Sequence, residues 1–259
     1  MKKFKFTNPF YCDPPGVYRE ILAHPIYQET KAIEQATFKE HRFAFYYWYK
    51  WWKNLNKETN ILHPPTLISI DYHRDLAGPS EREKKELLEI ESYNDSELAM
   101  FCWSRMNTQN DGHILSAAFL NIIGDIILLK SQSSFDDEKE LSWIDNYGNK
   151  HFIYEFEDVD HFESFIMQYK TEKIFFDIDL DYFISKPGNY MYSEGYIVMS
   201  EKEISTIINP SRLYMKKIYE YIEGFTIATE QKHCGGVVNS YKILSVIESQ
   251  LFNDGKKWK

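Results

Sequence analysis

Two short apolar runs, each ending in a cluster of acids, constrain this chain more than any other feature. The first is Leu67–Ile70, leading to Asp71, His73 and Asp75. The second is Ile174–Phe176, leading to Asp177, Asp179 and Asp181. With charge only at the far end, such runs suit buried parallel strands better than edge strands. Helical patterns separate them, and strand–helix alternation around apolar strands implies an α/β fold whose mainly parallel sheet is covered on both faces.

The remaining segments fit that frame. Pro9, Pro14, Pro15, Gly16 and Pro25 give residues 1–30 the look of an irregular N-terminal arm. Residues 31–53 read as a helix dense in aromatics, which at helical spacing indicate core rather than a peptide-binding wall. Ser80 is placed to cap a helix reaching Glu91, and further helices are expected over 96–106 and 114–123. Strands are expected at 125–129, 173–177 and 225–229, and a polar insertion or turn at 131–150. A helix over 160–169 and a loop at 186–194 follow. Ser200 and Glu203 form a capping-box pattern, Gly224 stands as the stop of a helix over 210–223, and 237–252 closes the chain as a helix. No composition break divides residues 1–259, so one domain is expected.

Composition narrows the partners. Hydrophobic residues at 43% and aromatics at 17% supply a large core and exclude disorder. A formal charge of −9 argues against nucleic acid or an anionic membrane as partner. Cys12, Cys102 and Cys234 are odd in number and widely spaced, which excludes a disulfide framework and suggests a reducing compartment. The basic N-terminus lacks an apolar signal core, and no run spans a bilayer, so a cytoplasmic protein is expected.

Chemistry is expected where the acids gather, because open parallel sheets bind ligands at the carboxyl ends of their strands. Like charges at that spacing repel and lose hydration, and a cation relieves both penalties. Carboxylates with a few imidazoles and no thiol suit manganese or a similar divalent ion, and bridging carboxylates allow two ions to share one site.

Asp71-Tyr-His-Arg-Asp75 resembles the Asp-x-His-x-Asp signature of the arginase/agmatinase ureohydrolases. Phe176-Asp-Ile-Asp-Leu-Asp181 resembles their second Asp-x-Asp signature. Asp177-Ile-Asp-Leu-Asp-Tyr-Phe183, with Ile227-Ala-Thr-Glu230, is closest to the peptide arginase branch, which converts arginine side chains of ribosomally made peptides to ornithine. The resemblance implies a three-layer arginase/deacetylase-like fold, a two-manganese centre and an arginine-containing precursor peptide as partner. It makes Asp71 and Asp177 the bridging ligands, Asp75 a ligand to one ion, and His73 and Asp179 ligands to the other. His41 is the best match for the family's upstream histidine, with His63 its competitor at the other end of the strand. Asn110-Asp-Gly-His113 resembles the loop carrying the proton-shuttling histidine, which makes Asn110 a substrate-binding residue and His113 the shuttle. Glu230 matches the acid that pairs with the guanidinium, and Asp179 is a candidate proton relay to the departing amine.

The departures are informative. Phe38-Lys-Glu40 replaces the glycine pair and aspartate of typical arginases. Asp181 comes two residues after Asp179, where the family has an acid three residues on, and it is therefore read as supporting rather than ligating. Leu76-Ala77-Gly78 stands where free-arginine enzymes carry an asparagine, which favours an arginine already in peptide linkage. The alternatives are a ureohydrolase for a small guanidine such as agmatine and a non-catalytic, metal-stabilised peptide-binding module. Oligomerisation is compatible with the sequence.

Overall fold

A computed structural model describes residues 13–59, 63–131, 141–185, 195–253 and 257–259. The expected loop at 186–194, Cys12 and the start of the expected arm lie outside these residues.

The chain begins as an antiparallel pair, β1 (Tyr18–Ala23) and β2 (Ala32–Phe38). After one 3-10 turn (His41–Phe43) come α1 (Ala44–Thr59) and β3 (Thr66–Asp71). Next are α2 (Glu81–Leu88), α3 (Asp95–Ser104), α4 (His113–Phe119) and β4 (Ile126–Lys130). An edge hairpin, β5 (Leu141–Ile144) and β6 (Lys150–Phe156), leads to α5 (Val159–Gln168) and β7 (Ile174–Asp179). A small ribbon, β8 (Ile184–Ser185) with β9 (Ile197–Val198), precedes α6 (Glu201–Ile207) and α7 (Leu213–Tyr221). The last long elements are β10 (Ile222–Ala228) and α8 (Val237–Leu251).

Eight strands form one sheet in the order β1-β2-β10-β7-β3-β4-β6-β5. The six central strands are parallel, and an antiparallel strand closes each edge. Helices cover both faces, which gives an α/β architecture of three layers. Ile68, Ile70, Phe176, Ile178, Phe225 and Ile227 pack in the core under α5–α8. Leu67, Phe175 and Leu128 point the other way, into the core under α1–α4. Because successive strand residues face opposite sides, Ser69, Asp71, Asp177 and Asp179 all fall on the α1–α4 face.

Several expected elements differ. The 31–53 segment is not one helix: it holds β2 before α1 begins. β2 is flanked by strands on both sides and buried on both faces, so its sequence lacks the alternation that marks a half-exposed strand. The arm likewise contains β1, a largely exposed edge strand with little hydrophobic signal. Within the expected polar insertion or turn at 131–150, residues 145–149 do turn, but they join a strand, β5, to β6. Gly224 is a residue of β10 rather than a helix stop: the Trp51 indole lies over it, and a Cβ there would sit 2.2 Å from the ring. The aromatic block packs as core, with Phe43, Phe45, Tyr46, Tyr47 and Trp48 fully buried. Capping boxes at Ser80/Glu83, Asn94/Glu97 and Ser200/Glu203 start α2, α3 and α6. No helix among the described residues is long and apolar enough to cross a membrane.

Candidate metal centre

The C-terminal ends of β3, β7 and β10 meet beneath the turn that carries His41, and this is where the acids collect. In register across these strands lie Ser69, Asp177 and Thr226, a buried polar row in an otherwise apolar sheet. Asp177 Oδ2 accepts from Ser69 Oγ at 2.7 Å and faces His41 Nε2 at 2.9 Å; Asp177 Oδ1 accepts from Thr226 Oγ1 at 2.6 Å. Trp48 Nε1 also reaches Thr226 Oγ1, tying α1 to the row. The row therefore fixes the orientation of the His41 ring.

The other ring nitrogen faces outward. His41 Nδ1 lies 3.0 Å from Asp75 Oδ2, 3.1 Å from Asp179 Oδ2 and 3.5 Å from Asp71 Oδ2. It is buried, and so is Asp71 Oδ2, yet neither makes a hydrogen bond of good geometry among the described residues. A second convergence adjoins the first: His73 Nδ1 lies 3.1 Å from Asp181 Oδ2 and 4.0 Å from Asp71 Oδ1. Ligand-type atoms of His41, Asp71 and Asp179 fall within 4.8 Å of one another, as do those of Asp71, His73 and Asp181, and those of His41, Asp75 and His113.

Local backbone geometry delivers these groups. Asp71 Oδ1 accepts from His73 N at 2.7 Å, which folds the chain leaving β3 back over the strand end. Asp75 is held at φ +50°, a conformation rare for any residue but glycine or asparagine. At the end of β7, Asp179 Oδ1 accepts from Asp181 N at 3.0 Å and starts a 3-10 turn, which brings Asp181 Oδ1 to Tyr72 N at 3.2 Å. The structure thus brings Asp181 to the convergence and leaves Asp177 behind the His41 ring, the reverse of the arrangement expected from sequence. The physical reason is position along the strand. Asp177 lies one pleat deeper than Asp179, and the tight turn carries Asp181 back to the strand end. His63 is not near this centre: it is exposed before the start of β3 and lines a separate cavity with Thr66, Asp125 and Lys173.

Burial, reinforced by neighbouring carboxylates, pushes Asp71 and Asp179 well above the usual carboxylate range. Burial alone would lower His41, but Asp177 and Asp179 outweigh it and hold the imidazole well above its ordinary value. Such a knot of competing acids around one cation is the electrostatic condition that a divalent ion relieves. The oxygen-rich, thiol-free donor set, with buried unpartnered donors aimed inward, fits one or more divalent ions.

Beside the centre opens a cavity of about 750 Å³ lined by Glu40, Asn110, Asp179, Glu230 and His233. Glu230 is buried where the chain leaves β10, at φ +26°. Its Oε1 accepts from Asn110 Nδ2 at 2.7 Å and from His41 N at 3.2 Å. Asn110, itself at φ +66°, extends the same amide to Glu40 Oε2 at 3.1 Å. Burial, and then the Asp181 and Asp75 charges working against the favourable His41 charge, leaves Glu230 pushed up to about 7. Three of the four described non-glycine residues with positive φ are Asp75, Asn110 and Glu230, so unusual backbone is concentrated here.

His113 starts α4 and is fully buried against His41 and Trp48, outside the cavity wall. Sequence reasoning passed over His233, whose Nε2 lies 3.6 Å from Glu230 Oε2, and Glu40. The available signals were their spacings, three residues after Glu230 and directly before His41. Cys234 has no part in the centre: its Sγ donates to Thr229 O. The acidic run at 155–160 serves structure, with Glu155 on Arg74, Glu157 on Lys130, Asp158 capping α5 and Asp160 on Arg212. No family model matches this chain, and no curated protein matches it.

Proposed function

We propose that this chain is a two-manganese hydrolase of the arginase-like fold that cleaves the guanidinium of a peptide-held arginine, releasing urea and leaving ornithine. The observation that carries the reading is the buried Glu230 carboxylate, fixed on the cavity floor beside the His/Asp cluster. A planar cation entering the cavity meets an anchored carboxylate at the distance of a neighbouring group from the metal ligands. The resemblance of both aspartate signatures to the ureohydrolases supports the same reaction, and Leu76-Ala77 on the cavity wall supports a peptide over free arginine.

In this reading His41, Asp71, Asp75 and Asp179 would hold one ion, and Asp71, His73 and Asp181, with Asp179 beside them, would hold the other. Asp177 orients His41 from behind, as carboxylates beside metal-bound histidines do. A divalent pair supplies, when bound, the Lewis acidity that makes water nucleophilic near neutral pH. The chain supplies the rest. Glu230 binds and orients the guanidinium, with its own position fixed by Asn110 Nδ2 and the His41 amide. The cavity wall confines the guanidinium next to the ligand cluster, so the attacked carbon is presented in one orientation. A carboxylate at the centre that also lines the cavity, Asp179 or Asp75, would take the proton that must pass from the attacking water to the departing amine.

The test is direct. Manganese-loaded protein incubated with arginine-containing precursor peptide should release urea, with each modified arginine losing the elements CH2N2 as one water is consumed. Agmatine run in parallel separates peptide from small-guanidine specificity. Urea from neither substrate would refute the reaction.

A further inference from the structure

We propose that His113 is a positioning residue for the cation seat, not the group that exchanges protons with solvent; this rests on the guanidinium-binding reading of Glu230. A shuttle needs a ring that reaches water or substrate. His113 is 0% exposed and contributes nothing to the cavity wall. Its faces are taken by aromatic neighbours, with the His41 ring centroid at 4.2 Å and that of Trp48 at 5.5 Å.

What the ring does contact is the backbone. Nδ1 lies 3.0 Å from the carbonyl oxygen of Asn110. A carbonyl only accepts, so Nδ1 carries the hydrogen and the tautomer is fixed. The carbonyl it holds belongs to the residue at φ +66°, in the left-handed region that asparagine tolerates but does not prefer. From that conformation the Asn110 amide reaches Glu230 Oε1 at 2.7 Å and Glu40 Oε2 at 3.1 Å. The line of action therefore runs from the His113 N–H to the Asn110 backbone, from the Asn110 amide to Glu230, and from Glu230 to the guanidinium. His113 acts through Asn110: Asp75 Oδ2, the carboxylate that clusters with it, lies 3.9 Å from its Nδ1, beyond hydrogen-bond distance.

Two substitutions divide the two roles. An asparagine side chain can place its amide N–H near the position of imidazole Nδ1 but transfers no protons, whereas leucine does neither. Manganese-loaded His113→Asn and His113→Leu proteins are compared with Nα-acetyl-argininamide as probe, for binding by calorimetry and for kcat and KM. We expect His113→Leu to weaken the probe's binding by about tenfold or more, as for loss of a buried hydrogen bond to the seat. His113→Asn should restore binding and kcat to within about threefold of the original protein. Loss of kcat in both variants with binding unchanged, recovered by added imidazole, would overturn the proposal. If His113→Leu does not fold, the asparagine variant alone decides on the same two outcomes.

A separate readout needs no turnover. In protein labelled with nitrogen-15 at histidine and loaded with diamagnetic magnesium in place of manganese, the His113 Nδ1 proton should appear as a slowly exchanging resonance that is absent from His113→Leu. A rapidly exchanging Nδ1 proton would refute the proposal by itself. An unmodified protein that neither binds nor hydrolyses the probe refutes the guanidinium reading instead, and a slow Nδ1 resonance still supports the His113–Asn110 link.

Discussion

Replacing Asp177 and Asp181 in turn tests the proposed division between an orienting carboxylate and a ligating one. Asp177 receives Ser69 Oγ at 2.7 Å, Thr226 Oγ1 at 2.6 Å and faces His41 Nε2 at 2.9 Å, so its oxygens are already occupied. Asparagine at this position keeps one oxygen and introduces two N–H donors against hydroxyl and imidazole groups. At least one buried donor then loses its acceptor, which costs about 1–3 kcal/mol, or several degrees in melting temperature. Loss of the carboxylate behind His41 should weaken metal binding by about 10–100-fold while the number of sites stays at two. Asp181→Asn keeps an oxygen for Tyr72 N and so keeps the turn, but it removes the negative ligand facing His73. Its expected result is one tightly held ion per chain instead of two. The assay is manganese titration of stripped protein by calorimetry, checked by elemental analysis after desalting. One ion in Asp177→Asn with two retained in Asp181→Asn would refute the assignment and return Asp177 to the ligand set.

Three further outcomes follow from the same geometry. Asp71, Asp179 and Glu230 have folded-state pKa values raised above their unfolded ones, so the folded metal-free chain binds extra protons. Stability from these acids is full below the unfolded values and is lost as pH rises, for Glu230 between the ordinary 4.5 and about 7. The melting temperature of metal-free protein should fall across that window and the gain on adding manganese should grow; a gain independent of pH would contradict this. Glu230→Gln should retain two ions but lower kcat/KM for an arginine peptide by about 100-fold or more, with unchanged kinetics counting against the cation seat. Gly224→Ala sets a Cβ 2.2 Å from the Trp51 ring and should cost about 1–3 kcal/mol in denaturant unfolding, with metal content unaffected. An unchanged midpoint would show that the ring moves freely.

The centre of the fold was legible because its strands are apolar on both faces and end in charge. Leu67–Ile70 and Ile174–Phe176 became β3 and β7, neighbours in the sheet, and their acids met as the α/β pattern requires. β2 was hidden because Ile33, Gln35, Ala36 and Phe38 are all buried, which erases the two-residue period, and because the aromatics of α1 follow at once. Gly224 misled for a different reason: it serves close packing under Trp51, a tertiary contact that no local rule contains.

At the site, residue types were readable but depth was not. Alternation put Asp177 and Asp179 on one face, yet only the cross-strand register shows Asp177 level with Ser69 and Thr226, behind His41. Asp181 depended on a 3-10 turn started by Asp179 itself. His113 carried a plausible motif, but its burial under Trp48 is set by the packing of α4 on α1.

Urea formation measured together with metal content tests the central claim most directly. Protein stripped of metal and reloaded with manganese should hold two ions per chain and convert arginine to ornithine in a precursor peptide, with one urea per residue changed. Two bound ions without urea from peptide or small guanidine would leave the metal centre and contradict the chemistry. Failure to retain any ion would contradict both.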